Sequence, residues 1–285
     1  METPLESADR ATWVAETIAA FCGSAQNSLG MPVDEPAFGA PLVGFAAGDD
    51  PLFEELKRHA GASHWTPGEA FALAFPELAG VAGELTVISW ILPHARQTKR
   101  DNRREKSLPA ERWARAKLFG EQFNVALRDH LVTTFREAGI PAVAPTRLPQ
   151  WSMEDVTSNW SERHMAYAAG LGTFGLCDGL ITPLGKAMRC GSVVARLALP
   201  ATPRVYNDHH AYCAFFAGKR CAVCAECCPV GAISERGHDK TRCLAYLTQV
   251  RRELIEPQFG FSTSACGLCQ TRVPCESRIP GRRQG

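Results

Sequence analysis

The 285-residue chain has no long hydrophobic run, no excess of charge of either sign and no repeated or low-complexity segment. Its longest apolar stretches, such as Val87–Leu92, fall far short of the roughly 20 residues that cross a bilayer, so no membrane association is expected. With 31 Lys and Arg against 30 Asp and Glu, the field of the whole molecule does not point to nucleic acid. The N-terminal METPLESADRATWVAE is polar and lacks both an apolar core and a twin arginine, so nothing in it directs export. A hydrophobic content of 45% with 21% charged residues fits an ordinary globular chain of about two domains.

What the chain does have is cysteine, unevenly placed. Of 12 cysteines, nine fall between Cys213 and Cys275. They include Cys221-Ala-Val-Cys224-Ala-Glu-Cys227-Cys228-Pro229, then Cys243, the pair Cys266-Gly-Leu-Cys269, and Cys275. Two-residue gaps let neighbouring thiolates curl around one metal core, and Cys-Pro turns the chain so that its thiolate meets a second core. A ferredoxin-like module with two [4Fe–4S] clusters is expected. Disulfides would need an oxidising compartment. Paired four-cysteine zinc sites would use two CxxC knuckles per ion, whereas here one CxxC leads into Cys-Pro and isolated cysteines follow. Free cysteines without an export signal imply the cytoplasm, in a cell with anaerobic metabolism.

Two ligand assignments are open because Cys227 and Cys228 are adjacent. One takes Cys221, Cys224 and Cys227 as a triplet, with no spacer before Cys-Pro. The other keeps Cys224-x3-Cys228-Pro and recruits Cys213 across seven residues. The second is preferred, since adjacent side chains would struggle to reach different clusters. It gives Cys213, Cys221, Cys224 and Cys275 for one cluster and Cys228, Cys243, Cys266 and Cys269 for the other, with Cys227 spare.

Upstream, Ser7–Phe21 reads as an amphipathic helix. Asp50-Pro51 starts a helix that runs to Gly61. Glu84–Leu92 reads as a buried strand. A basic connector, Arg96–Lys106, reads as a solvated surface loop; its cations could also grip RNA phosphates or an acidic carrier protein. Trp113, Ala116, Phe119, Phe123, Leu127, Leu131 and Phe135 recur at helical steps within a helix from about 109 to 138. Ile140–Ala144 and Gly191–Leu199 read as further strands. The expected fold is α/β (α+β), divided into an N-terminal domain over 1–205 and the cluster module over 206–285.

Gly170-Leu-Gly172-Thr-Phe-Gly175 matches a dinucleotide fingerprint in its letters, but helical composition precedes it and Thr182-Pro183-Leu-Gly185 soon breaks the chain, so a helix stop and tight turn is the better reading. Together with Glu162-Arg163, Ala166, Ala169, Leu180-Ile-Thr-Pro183-x-Gly185, Gly191-Ser-Val-Val and the two-cluster module, this segment resembles the epoxyqueuosine reductase and reductive dehalogenase superfamily, over roughly Thr86 to Pro280. That resemblance implies a nitroreductase-like N-terminal domain holding base-off cobalamin, with electrons carried to it by the two clusters. It places Arg163, His164, Gly170, Gly172 and Gly175 at the corrin. It also implies a reductase fed by a low-potential donor such as ferredoxin or flavodoxin, acting on a small-molecule or tRNA-borne substrate.

The pattern departs from the family in several places. Ala142 and Val143 stand where epoxyqueuosine reductases carry a proton-donating aspartate before Ala-Pro, and Gly175-Leu176-Cys177 replaces Gly-Lys-Asn. Asp178 is the candidate for the missing donor, against the commoner role of a turn aspartate. Tyr167 is a second candidate, and His209-His210 are not needed as ligands. Cys22, Cys177 and Cys190 read as small buried residues. Two rival functions are a pure electron-transfer protein and a reductive activator of a corrinoid partner.

Overall fold

A strand with no solvent face is what an unbroken apolar run produces, and seven of the eight residues of Thr86–Pro93 are buried. In the computed structural model, which describes residues 7–154 and 156–281, the elements in chain order are α1 (Ser7–Cys22), β1 (Leu42–Ala47), α2 (Leu52–Ala60), α3 (Pro67–Ala74), β2 (Thr86–Pro93), α4 (Arg96–Asn102), α5 (Glu111–Glu137) and β3 (Ala142–Val143). There follow β4 (Met153–Glu154), β5 (Thr157–Ser158), α6 (Glu162–Ala168), β6 (Thr173–Phe174), β7 (Leu180–Ile181), β8 (Met188–Ala195), α7 (Val223–Glu226), β9 (Ile233–Ser234), β10 (Gly237–His238) and α8 (Lys240–Val250). The polar N-terminus through Glu6 lies outside the described residues.

The main sheet has the order β1-β2-β8-β3, and each of its three pairs is antiparallel. Trp90 lies between Val43 and Gly191, and Val143 opposite Val194. Alternate side chains leave on opposite faces. Ile88, Trp90 and Leu92 pack with Val14 and Ile18 of α1 and Phe123, Leu127 and Leu131 of α5. Val87, Ile91 and Val194 pack with Phe53 of α2, Phe71 of α3 and Met165 of α6. The fold is a mixed α and β architecture with helices on both faces of an antiparallel sheet.

Local chemistry sets the helix ends. Thr66 and Glu69 form a capping box ahead of α3, with Pro67 in its first turn. Asp50 Oδ1 accepts from Leu52 N at 2.9 Å at the start of α2. The Arg96–Lys106 segment differs from the expected loop. Its first seven residues are helical, Thr98 and Asn102, one turn apart, are buried, and Asn102 bonds the cysteine-rich part. Gly170 ends α6 with φ +75°, so the segment before the glycines is a helix and the dinucleotide reading has no strand to start from.

Beyond residue 205 the chain packs as two smaller cores. One joins Tyr206, Tyr212, Cys213, Ile233 and Ile279 to Leu176, Cys177 and Ile181. The other joins Val250, Leu254, Ile255 and Ala265 to Trp113 and Ala114 of α5 and to Ala187. Both use side chains from either side of residue 205, so the cysteine-rich part is tied into the first part by shared apolar packing. Among the described residues, no helix is long and apolar enough to cross a membrane.

Candidate metal centre

Three segments bring Cys213, Cys221, Cys224 and Cys275 to one small cavity, which Gly175, Ile181 and Lys186 also line. Cys213 is placed by a zipper onto β6. Phe174 N donates to His209 O at 2.6 Å, Tyr212 N to Thr173 Oγ1 at 2.9 Å and Cys213 N to His210 O at 2.8 Å. His210 Nδ1 lies 3.0 Å from Phe174 O and its ring stacks on Phe216, so this histidine is occupied in holding the loop. Cys224 lies in α7. Cys275 is fixed through its carbonyl, which accepts from Lys186 N at 2.9 Å.

Cys228 and Cys243 both lie within electrostatic reach of Cys266, and Cys269 lies within reach of Cys266 but nearer to Cys177. Ala232 N donates to Cys228 Sγ at 3.2 Å. Cys243 is carried on α8, which Asp239 caps by accepting from Arg242 N at 2.9 Å. The Cys266–Cys269 knuckle is docked on the first part of the chain. Asn102 Nδ2 donates to Thr271 Oγ1 at 3.1 Å and to Cys266 O at 3.4 Å, and Arg103 Nε bridges both Glu276 oxygens at 2.9 and 2.7 Å. Cys227 stands apart from the first cavity, with Arg272 Nη2 at 3.6 Å from its sulfur. Among the described residues, no three His, Cys, Asp or Glu side chains converge as the shell of a single ion. The thiolates of a four-iron cubane sit on separate irons and need no such convergence, so the donor sets fit that group chemically.

Two residues between these sets were read from sequence as inert or not singled out. Lys186 Nζ donates to Cys177 Sγ at 3.1 Å, and both are buried. Hydrogen bonds from Cys224 and Cys269, helped by the Lys186 charge, outweigh burial and draw the Cys177 thiol well below its usual range.

Of the residues placed at the corrin by resemblance, Arg163 and His164 lie on α6, and Gly170, Gly172 and Gly175 lie in the turn that follows it, against Pro203 and Ile181. A separate set of buried polar groups lies between α5, α6 and β8. Glu162 sits in a buried chain: Ser192 Oγ donates to it at 2.5 Å, Trp160 Nε1 donates to Ser192 Oγ at 3.0 Å, and Arg128 pairs with it at 2.9 Å. Burial pushes the Glu162 carboxyl up, with Arg128 opposing. Arg163 Nη1 donates to Asp178 O at 2.6 Å. His164 Nδ1 lies 2.8 Å from Ser161 Oγ and its ring 5.0 Å from Phe174. Burial first, then the neighbouring His64, keeps its imidazole neutral, down to about 3. Repulsion from Arg189, then burial, lowers Lys117 to about 8. Arg189 Nε is buried without an acceptor, although its side chain is 24% exposed. An orphaned donor among cations fits a ligand rich in amide or phosphate oxygens.

The three glycines have reasons internal to the protein. A Cβ on Gly172 would overlap Ile181 O, one on Gly170 would press on Pro203 O, and one on Gly175 would press on Ile181. Asp178 has φ +55° and is bracketed by His238 at 3.4 Å and Lys240 at 3.9 Å. Burial resists its ionisation, but the His238 hydrogen bond and the Lys240 charge outweigh it and hold the carboxyl below its usual value.

No model of a known protein family matches the sequence, and no curated protein matches it. Solved structures do match. A selenomethionine-labelled epoxyqueuosine reductase aligns with TM-score 0.50 and 17% identity, over 97% of this chain and 67% of that one. An epoxyqueuosine reductase with an epoxyqueuosine-modified tRNA-Tyr stem loop aligns with TM-score 0.52 and 17% identity, over 96% and 66%. A reductive dehalogenase, whose structure suggests a mechanism for B12-dependent dehalogenation, aligns with TM-score 0.50 and 16% identity, over 94% and 37%. The fold is that of the epoxyqueuosine reductase and reductive dehalogenase superfamily. The chain spans about two thirds of the first proteins and about 37% of the last.

Proposed function

We propose that the chain is an iron–sulfur oxidoreductase. Cys213, Cys221, Cys224 and Cys275 hold one [4Fe–4S] cluster, and Cys228, Cys243, Cys266 and Cys269 hold the second, in a module over 206–285 set against a domain over 1–205. The observation that carries this is the lining of one cavity by four thiols drawn from separated segments. When bound, the clusters would supply one-electron steps, and a cobalamin would supply the low-potential chemistry that reduces an organic substrate.

The chain's own residues supply position and charge. Arg189 Nε and the Lys117 ammonium would receive the oxygens of a corrinoid side chain, with Arg163 at the rim. The Gly170–Gly175 turn would border the corrinoid, and it is tied to the Cys213 loop through β6. His164, held neutral, offers a ring nitrogen without charge. Asp178, the candidate proton donor, is held as a carboxylate and would accept a proton before it could give one. The exposed Arg96, Arg100, Arg104 and Lys106 would meet phosphates of a tRNA-borne substrate, a class suggested by the neighbour solved with a tRNA stem loop. Electrons would come from a low-potential ferredoxin or flavodoxin in the cytoplasm.

The position of the family's aspartate favours a second reading. Ala142 and Val143 are buried in β3 against Ala195 and Val194, so that place carries no acid. An electron carrier, or an activator of a corrinoid partner, would need none. Anaerobic reconstitution with iron and sulfide tests the main reading. About eight irons and eight sulfides per chain are expected from two four-thiol sets; stoichiometric zinc without sulfide would sink it. Binding of added cobalamin base-off, read by absorption, separates the reductase from the carrier.

A further inference from the structure

Lys186 is 3% exposed and Cys177 5% exposed, and neither belongs to a four-thiol set. The Lys186 Nζ donates to Cys177 Sγ at 3.1 Å, and Cys275 and Cys224 of the first set and Cys269 of the second all lie within electrostatic reach of its ammonium. The backbone fixes this placement. Lys186 N donates to Cys275 O at 2.9 Å and Ala187 N to Glu276 O at 3.1 Å. Gly185, at φ +83°, lies so close to the Glu276 carbonyl that a Cβ there would overlap it. The fixed main chain sets where the stem starts, and its burial with the bond to Cys177 keeps the ammonium beside these sulfurs.

We propose that Lys186, steadied by Cys177, is a fixed positive charge shared by both clusters and raises the reduction potential of each. This rests on the two-cluster reading above. Each added electron makes a thiolate-ligated cluster more negative, and a cation in a low-dielectric interior stabilises that reduced form more than the oxidised one. A charge beside one set alone would move one potential. A charge within reach of Cys275, Cys224 and Cys269 moves both.

The full chain, reconstituted anaerobically as wild type, Lys186→Met, Lys186→Gln and Cys177→Ser, is assayed for iron and sulfide and titrated redox-wise with EPR detection. Iron and sulfide are expected to be unchanged in all four. In both lysine variants the reduced-to-oxidised ratio at a fixed potential should fall at least tenfold for both clusters, about 59 mV for a one-electron couple. Cys177→Ser, which keeps the ammonium, should not lower either midpoint. Unchanged midpoints with full iron in the lysine variants would overturn the proposal and leave the clusters standing. Loss of iron in both lysine variants would overturn it by making Lys186 an assembly residue. Loss of iron in Cys177→Ser would overturn the steadying role by making Cys177 a ligand. A wild type that takes up iron without sulfide removes the cluster reading itself, and the proposal with it.

Discussion

The indole of Trp113 fills the space into which any side chain at position 267 would project. Trp113 belongs to α5, and Gly267 lies inside the Cys266–Cys269 knuckle. The ring also lies 4.5 Å from the tilted ring of His94, just past the end of β2. One aromatic side chain therefore joins the central strand, the long helix and two candidate cluster ligands. Gly267 has φ +70°, so its backbone favours glycine even without the indole.

Gly267→Ala should accordingly be costly. The unfavourable backbone adds about 1 kcal/mol, and overpacking against a buried ring about 1–3 kcal/mol more. Thermal unfolding of the reconstituted protein should show a clear fall in Tm, with iron lost from the set that contains Cys266 and Cys269. Gly80→Ala, also at positive φ but with open space around its Cβ position, controls for the backbone contribution. Equal losses in the two variants would show that the Trp113 contact adds nothing.

The choice between Cys213 and Cys227 is decided by iron content. Cys213 lines the first cavity with Cys221, Cys224 and Cys275, whereas Cys227 does not. Cys213→Ser should roughly halve the iron, since one of two equal clusters loses a thiolate, while Cys227→Ser keeps it nearly complete. The reverse outcome would restore the triplet Cys221, Cys224 and Cys227.

Much of this was legible in the sequence, for local reasons. The helical spacing of Trp113 to Phe135 gives α5, the unbroken apolar run before Pro93 gives β2, and the extended spacer from Cys213 points to the residues that line the cavity. Other features were hidden because their causes are remote in sequence. In β1, LVGFAA, Gly44 is needed because Ala169 O and Leu171 crowd its Cβ position, and nothing local announces that approach. The basic run of α4 disguised a docking helix whose informative residue is the uncharged, buried Asn102. Lys186 and Cys177 looked ordinary because their neighbours come from about 40 to 90 residues further along the chain. Gly170 and Gly172 also have a reason remote from their own segment, since Pro203 O and Ile181 O crowd their Cβ positions.

Glu276 should be the most sensitive acid at the junction of the two parts. Its carboxylate is 5% exposed and accepts from Arg103 and from Arg272 N at 2.8 Å. Glu276→Ala removes the charged acceptor of both the Arg103 guanidinium and the Arg272 N–H, a loss of about 1.5–3 kcal/mol. Glu276→Gln, which retains one oxygen, should lose less. The order of Tm values, wild type above Gln above Ala, checks this. An Ala variant as stable as wild type would show that the junction is held by Trp113 and the apolar cores alone.

Lys117 gives the protein a pH dependence of known sign. Repulsion from Arg189, then burial, brings the folded ammonium down to about 8, whereas an unfolded lysine titrates near 10.4. Between those values the unfolded chain holds a proton that the folded chain has released, so stability contributed at this residue rises with pH through that window. Below about 8 both states are protonated and the folded state carries the full penalty of a confined charge. The slope cannot exceed about 1.4 kcal/mol per pH unit, the limit for one proton. Lys117→Met removes the penalty, so its Tm advantage over wild type should be greatest near pH 7 and shrink as pH rises towards 10. Added phosphate should narrow the gap at pH 7 by neutralising the charges of Lys117 and Arg189 in the wild type. A Tm difference that stays constant across the range would show that Lys117 feels no such repulsion.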